Sequence, residues 1–203
     1  MADIKYRMMG VGDVDRLPIG CQGSRAEAIQ RIEDLGSCAV LAFDGGQHAA
    51  QLQFRRYDRA ARSPNSIWDP AYWGDFGDHA PDLPHDTLAV HCFHVGQVDD
   101  TDARDARYQG RGIGLQLLDH LLDWAAETGF DAITAKASPS MRPVMVFMGG
   151  QARESYEERG FETVASWVDA DLRSMVAENR LVATDSDLDS ASRVSCCVRR
   201  LRG

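Results

Sequence analysis

No stretch of this 203-residue chain approaches the roughly 18 consecutive apolar residues that a helix needs to cross a bilayer, which excludes a helical membrane span. Basic residues are scarce: 22 Lys and Arg stand against 31 Asp and Glu, a formal net charge of -9. A sequence-independent nucleic-acid binder needs a basic face to displace counterions from phosphates, so the balance argues against one and fits a neutral or cationic small acceptor. Cysteine is sparse and odd in number. Cys21, Cys38, Cys92, Cys196 and Cys197 lack the paired spacing of a zinc module or a disulfide framework, which predicts free, reduced thiols and no metal. The opening Met1-Ala-Asp-Ile-Lys has no apolar core of a leader segment, and a cytoplasmic protein is expected.

What is there suits one domain over residues 1–203: 44% of residues are hydrophobic and 26% charged, enough for a single sizeable core. Ile4, Tyr6 and Met8 alternate with polar neighbours, predicting a half-buried strand. Ser24 with Glu27 forms a capping box, Ala28, Ile29, Ile32 and Leu35 make one apolar stripe, and Gly36 stops the helix. Residues 38–43 and 49–55 read as a hairpin about Asp44-Gly45-Gly46, with Leu52 and Phe54 facing in. Residues 57–86 read as a Pro-, Gly- and aromatic-rich loop insertion, and Thr87 to Val95 as a buried central strand. An acidic loop, 96–108, follows. Ile113, Leu117, Leu121, Trp124 and Thr128 then line one face of a helix that ends at Gly129. Strands over 130–137 and 161–168, a short helix over 152–159, a polar connector over 183–192 and a closing strand over 192–201 complete a mixed α/β domain without internal repeats.

The chemistry concentrates at Gln109-Gly110-Arg111-Gly112-Ile113-Gly114, which opens the 113–128 helix. Closely spaced glycines before a helix expose backbone N–H groups at the positive end of its dipole, an anion site. It is not a nucleoside-triphosphate loop, because Leu115 follows Gly114 where Lys and then Ser or Thr are needed. It is not the dinucleotide fingerprint, because the glycines are spaced Gly-x-Gly-x-Gly and follow a loop rather than a strand.

With Cys92-Phe93-His94-Val95 before it and Tyr156-Glu-Glu-Arg-Gly160-Phe161 after it, this loop resembles that of the Gcn5-related N-acetyltransferase (GNAT) superfamily. The resemblance, strongest over 87–168, implies a mixed, mostly antiparallel central sheet flanked by helices. It also implies an acetyl-CoA-dependent N-acetyltransferase, or a catalytically silent acyl-CoA-binding regulator or sensor of the same fold. By the same resemblance the backbone of Phe93, His94 and Val95 holds the pantetheine arm, Gln109, Gly110, Arg111, Gly112, Ile113 and Gly114 bind the pyrophosphate, and Tyr156 protonates the CoA sulfur. The family commonly passes from strand to loop within a few residues, whereas here 96–108 intervene.

A general base is needed to take the acceptor's proton, and no Glu lies on the central strand. His91 and His94, on opposite faces, are the candidates there, with His94 nearer the strand end; Asp86 or an ordered water are alternatives. A relay through Cys92 is a further option, against which stands the lack of a cationic helper beside it. Trp68, Tyr72 and Trp73, with Asp69 and Asp75, are candidates to cage a cationic amine, or else to contact a second copy in a homodimer.

Overall fold

The computed structural model describes residues 3–101, 103–183 and 187–202. Its strands and helices are β1 (Ile4–Met8), α1 (Arg25–Leu35), β2 (Ala39–Asp44), β3 (Gln47–Arg56), β4 (Thr87–Val95), α2 (Ile113–Thr128), β5 (Ala132–Ala137), α3 (Arg142–Met148), α4 (Arg153–Glu157), β6 (Glu162–Val168), α5 (Ala170–Glu178), α6 (Leu188–Ala191) and β7 (Arg193–Arg200). The strands hydrogen-bond in the order β1-β2-β3-β4-β5-β7-β6. β4 and β5 run parallel, while β1 with β2, β2 with β3, β5 with β7 and β6 with β7 are antiparallel. The α/β class with a mostly antiparallel sheet is therefore as the sequence implies. Residues divide into two compact units, 1–56 with 91–129 and 57–90 with 130–203.

In the first unit, local chemistry sets the limits of each element. Ser24 accepts the Glu27 N–H and Glu27 returns to the Ser24 backbone, so α1 starts where its capping box lies; Gly36, at φ +89°, ends it. Gly45 and Gly46, both at positive φ, close the β2–β3 hairpin. Ala28 and Ile32 of α1 pack on Ala39 and Leu41 of β2, together with Met9 and Val14. On α2 the buried face is Ile113, Leu117, Leu118, Leu121, Leu122 and Ala125. Thr128, expected on that face, is exposed, and its hydroxyl donates back to the Trp124 carbonyl at 2.7 Å, a partner available only within the helix's own last turn.

The second unit departs further from expectation. Residues 57–86 are not a bare loop: three 3-10 turns, Ser66–Trp68, Tyr72–Gly74 and Gly77–His79, bury Tyr72, Trp73 and Phe76. Three helices, α3, α5 and α6, were not legible in the sequence. α3 has Pro143 in its first turn and stops at Gly149, φ +67°; α5 is capped by Asp169, which accepts the Leu172 N–H at 2.9 Å. Val144, Leu172, Val176, Leu188, Ala191 and Val194 form their common core. Of the expected polar connector, 184–186 lie outside the described residues, and Leu188 and Ala191 of α6 are buried in that core. β7 does not close the sheet. Its apolar centre, Val194 and Cys196 to Val198, is buried between β5 and β6, and β6 takes the edge with an exposed Val164.

Candidate active site

The intervening acidic loop is pinched shut at its base. Gly96 donates its N–H to the Ala49 carbonyl and accepts the Asp105 N–H at its own carbonyl, each at 2.8 Å. Gly96 sits at φ +83°, and a Cβ there would lie 2.6 Å from the Asp105 carbonyl oxygen, so only glycine permits this approach. The chain thus leaves the end of β4, makes an excursion, and returns to the same point before starting the glycine loop. Asp102 of that excursion lies outside the described residues. From Asp105 the path to α2 is one 3-10 turn, Ala106–Tyr108, capped by the Asp105 carboxylate on the Arg107 N–H at 3.0 Å.

Gly110 and Gly112 both adopt left-handed backbone, φ +69° and +73°, and nothing lies within 4 Å of where their Cβ atoms would be. Gly112 is the N-cap of α2 and offers no side chain to occupy the helix's first N–H groups. Gln109, Gly110 and Gly112 are exposed, while Ile113 and Gly114 are buried and anchor the helix. Arg111 is half-buried, 3.9 Å from the Asp44 carboxylate and above the Tyr108 ring. The arrangement is a cationic, amide-rich cradle at the positive end of a 16-residue helix.

Of the strand-borne candidates, Phe93, His91 and His94 are buried and Val95 half-buried. The His94 ring is the more unusual. Its Nδ1 faces the Arg104 guanidinium at 3.4 Å, and its buried Nε2 has no hydrogen-bond partner. Two thiols lie beside it: Cys21 Sγ, Cys92 Sγ and a His94 ring nitrogen are all within 4.8 Å of one another. Cys21 arrives on the turn Gly20–Gln22, held by the polar face of β3. Gln51 donates to the Pro18 carbonyl at 2.8 Å, Gln53 donates to the Ile19 carbonyl at 2.7 Å and accepts the Cys21 N–H at 3.0 Å, and Arg55 donates to the Cys21 carbonyl at 2.5 Å. A hydrogen bond from Cys92, then His94 and the Arg55 charge, hold the Cys21 thiol well below the usual thiol range, and the same pairing pushes the buried Cys92 thiol up. The sequence showed no cation beside Cys92; Arg55 supplies one, from a strand whose register only the folded chain reveals. Asp86 sits at the opposite end of β4 from His94, with its side chain 3.3 Å from His85.

Within the second unit, Tyr156 is the largest of the fully buried side chains, 1% exposed, packed edge-on against Phe161 with ring centroids 5.2 Å apart. Burial pushes its hydroxyl up, which keeps it protonated at every working pH. The aromatic segment does not leave an open cage. Lys136 Nζ lies 3.9 Å from the centroid of the Tyr72 ring, so one of its faces already holds the chain's own ammonium. Trp73 is buried, and Trp68 is 68% exposed beside Phe147. The two carboxylates expected to assist are committed to turns: Asp69 accepts the Ala71 N–H, and Asp75 accepts the Ser63 and Gly77 N–H groups, each at 2.8 Å.

The chain matches the acetyltransferase (GNAT) family over residues 19–148, well over half its length. It belongs to that family and is an acyltransferase. Among solved structures, it resembles an N-acetyltransferase from Staphylococcus aureus Mu50 at 13% identity and TM-score 0.52, covering 99% of this chain and 100% of that one. A family acetyltransferase from Streptococcus pneumoniae aligns at 13% identity and TM-score 0.50, over 99% and 100% of the two chains. A GNAT-like decarboxylase, GphF, solved with isobutyryl-CoA, aligns at 14% identity and TM-score 0.52, over 98% and 100%. These likenesses speak to the fold. No curated protein matches in sequence.

Proposed function

We propose that the protein, acting as one catalytic domain, transfers the acetyl group of acetyl-CoA to the amine of a small-molecule acceptor by direct attack. The clasp between Gly96 and Asp105 carries this reading, because it removes the excursion 96–108 as an obstacle to the strand-then-loop succession of the family. In this reading the backbone of Phe93 to Val95 holds the pantetheine arm and residues 109–114 hold the pyrophosphate. The acceptor nitrogen attacks the thioester carbonyl, the carbon–sulfur bond breaks, His94 takes the nitrogen's proton, and Tyr156 gives its proton to the departing thiolate. With the ring proton on Nδ1 and the long Arg104 contact released, the unpartnered Nε2 of His94 can take a proton, which supports the base role, and the place of Tyr156 in the Tyr156-Glu-Glu-Arg-Gly160-Phe161 motif supports the acid role. With Tyr72 facing Lys136, the exposed Trp68 is the aromatic face left for the acceptor.

Titration calorimetry with acetyl-CoA, followed by free-thiol release across an amine panel, tests this reading. Wild type is expected to bind and turn over, and Tyr156→Phe to bind acetyl-CoA with near wild-type affinity while losing about 10²-fold in rate or more. Absence of acetyl-CoA binding would overturn the reading. Binding without turnover on any amine would make the protein a silent acyl-CoA sensor instead.

A further inference from the structure

A cysteine from the Gly20–Gln22 turn meets two residues of β4 inside the first unit in a way that amine acetylation does not require. Cys21 and Cys92 offer two sulfurs and His94 a ring nitrogen, all within 4.8 Å of one another. The imidazole is 7% exposed, and its Nε2 is buried without a hydrogen-bond partner. It faces the Cys21 turn: a Cβ built on the preceding residue, Gly20, would lie 2.8 Å from that nitrogen. A buried imidazole nitrogen ordinarily finds a donor or acceptor, so one left open toward two sulfurs calls for a ligand.

We propose that Cys21 Sγ, Cys92 Sγ and His94 Nε2 form a site for a thiophilic transition-metal ion of the zinc class, three protein ligands with one open coordination position. Two thiolates and one imidazole are a donor set that selects such metals over Mg²⁺ or Ca²⁺, which prefer oxygen. The ligands come from rigid supports. Cys92 and His94 lie two residues apart on β4 and so share a face. The Cys21 turn is pinned through Gln51, Gln53 and Arg55 of β3, and Asp100 accepts the Ile19 N–H at 2.9 Å. Cys21 is half-buried, which leaves an entry path. Metal on Nε2 requires the ring proton on Nδ1, so the long contact there from Arg104, whose side chain is exposed and free to turn away, is given up on binding. Both thiol protons leave as the metal binds.

The test is zinc itself. Wild-type protein, stripped with chelator and dialysed against Zn²⁺, is expected to retain one zinc per chain by elemental analysis. With Co²⁺ it should show thiolate-to-metal charge-transfer absorption. Cys21→Ser, Cys92→Ser and His94→Gln are each expected to weaken zinc binding at least 10-fold, while Cys196→Ser, in the other unit, keeps wild-type affinity. Circular dichroism of each variant separates loss of the site from loss of the fold. Zinc retention no greater than that of Cys92→Ser, or charge-transfer bands that survive in both cysteine variants, would overturn the proposal; alkylation of Cys21 without metal retention would mark the cluster as an activated thiol instead. Because Zn²⁺ on Nε2 removes that nitrogen from proton transfer, Zn²⁺ should also inhibit acetyl transfer. Zinc bound without inhibition would leave the metal site standing and remove His94 as the base.

Discussion

Replacing Asp169 by alanine takes away three interactions at once. Its carboxylate caps α5 through the Leu172 N–H at 2.9 Å, accepts the Tyr72 hydroxyl at 3.0 Å, and lies 3.9 Å from Lys136 Nζ. An N-cap is worth about 1 kcal/mol. Tyr72 is 2% exposed, and a buried hydroxyl left without its acceptor costs about 1–3 kcal/mol. Lys136 is 3% exposed, and a buried ammonium robbed of its carboxylate costs up to about 3–5 kcal/mol unless it sheds its proton. Lys136 has that escape, because burial already draws its pKa down to about 8. The three effects overlap, and a total loss of about 3–5 kcal/mol is expected in urea unfolding followed by tryptophan fluorescence. The decisive measurement is the cycle with Lys136→Met. If the unpaired ammonium dominates, the double variant is more stable than Asp169→Ala alone, with a coupling of about 1–3 kcal/mol. Strictly additive losses, or a single-variant loss below about 1 kcal/mol, would refute the argument.

The same lysine makes stability depend on pH. Its folded pKa of about 8 lies below the ordinary 10.5, so between these values the unfolded chain holds the extra proton and the folded state gains as pH rises. Relative to Lys136→Met, wild type should therefore gain stability between pH 8 and 10.5, by at most about 3 kcal/mol, and a flat difference would contradict the assignment. At the cofactor loop, Gly112→Ala meets no steric obstacle but must hold φ +73°, at a cost of about 1–2 kcal/mol. Calorimetry should show weaker acetyl-CoA binding for Gly112→Ala than for Gly112→Asn, since Asn tolerates left-handed backbone; equal affinities would mean the loop's conformation does not matter for binding.

Much of the first unit was legible because its signals are local. The Ser24 box, Gly36, the Asp44-Gly45-Gly46 turn and the apolar run of β4 each act over a few residues, and each element begins and ends where they lie. The second unit was less so. α3 and α5 are short, and their apolar residues form a core only with Leu188, Ala191 and Val194 from later in the chain. Tyr72 and Trp73 read as an amine cage or a dimer contact because nothing nearby in sequence announces that Lys136 and Asp169 await Tyr72 or that Trp73 is buried.

By itself, then, the sequence determined the class of the protein. The glycine loop, its helix and the flanking Cys92–Val95 and Tyr156–Phe161 segments are contiguous motifs, and the backbone chemistry they demand travels with them. Tertiary structure alone decided which side chains face one another. Gly96 and Asp105 meet because a positive φ permits it. Cys21 reaches Cys92 and His94 because Gln51, Gln53 and Arg55, alternate residues on one face of β3, hold its turn in place. Strand register sets such meetings, and register is a property of paired strands that no single stretch of sequence contains.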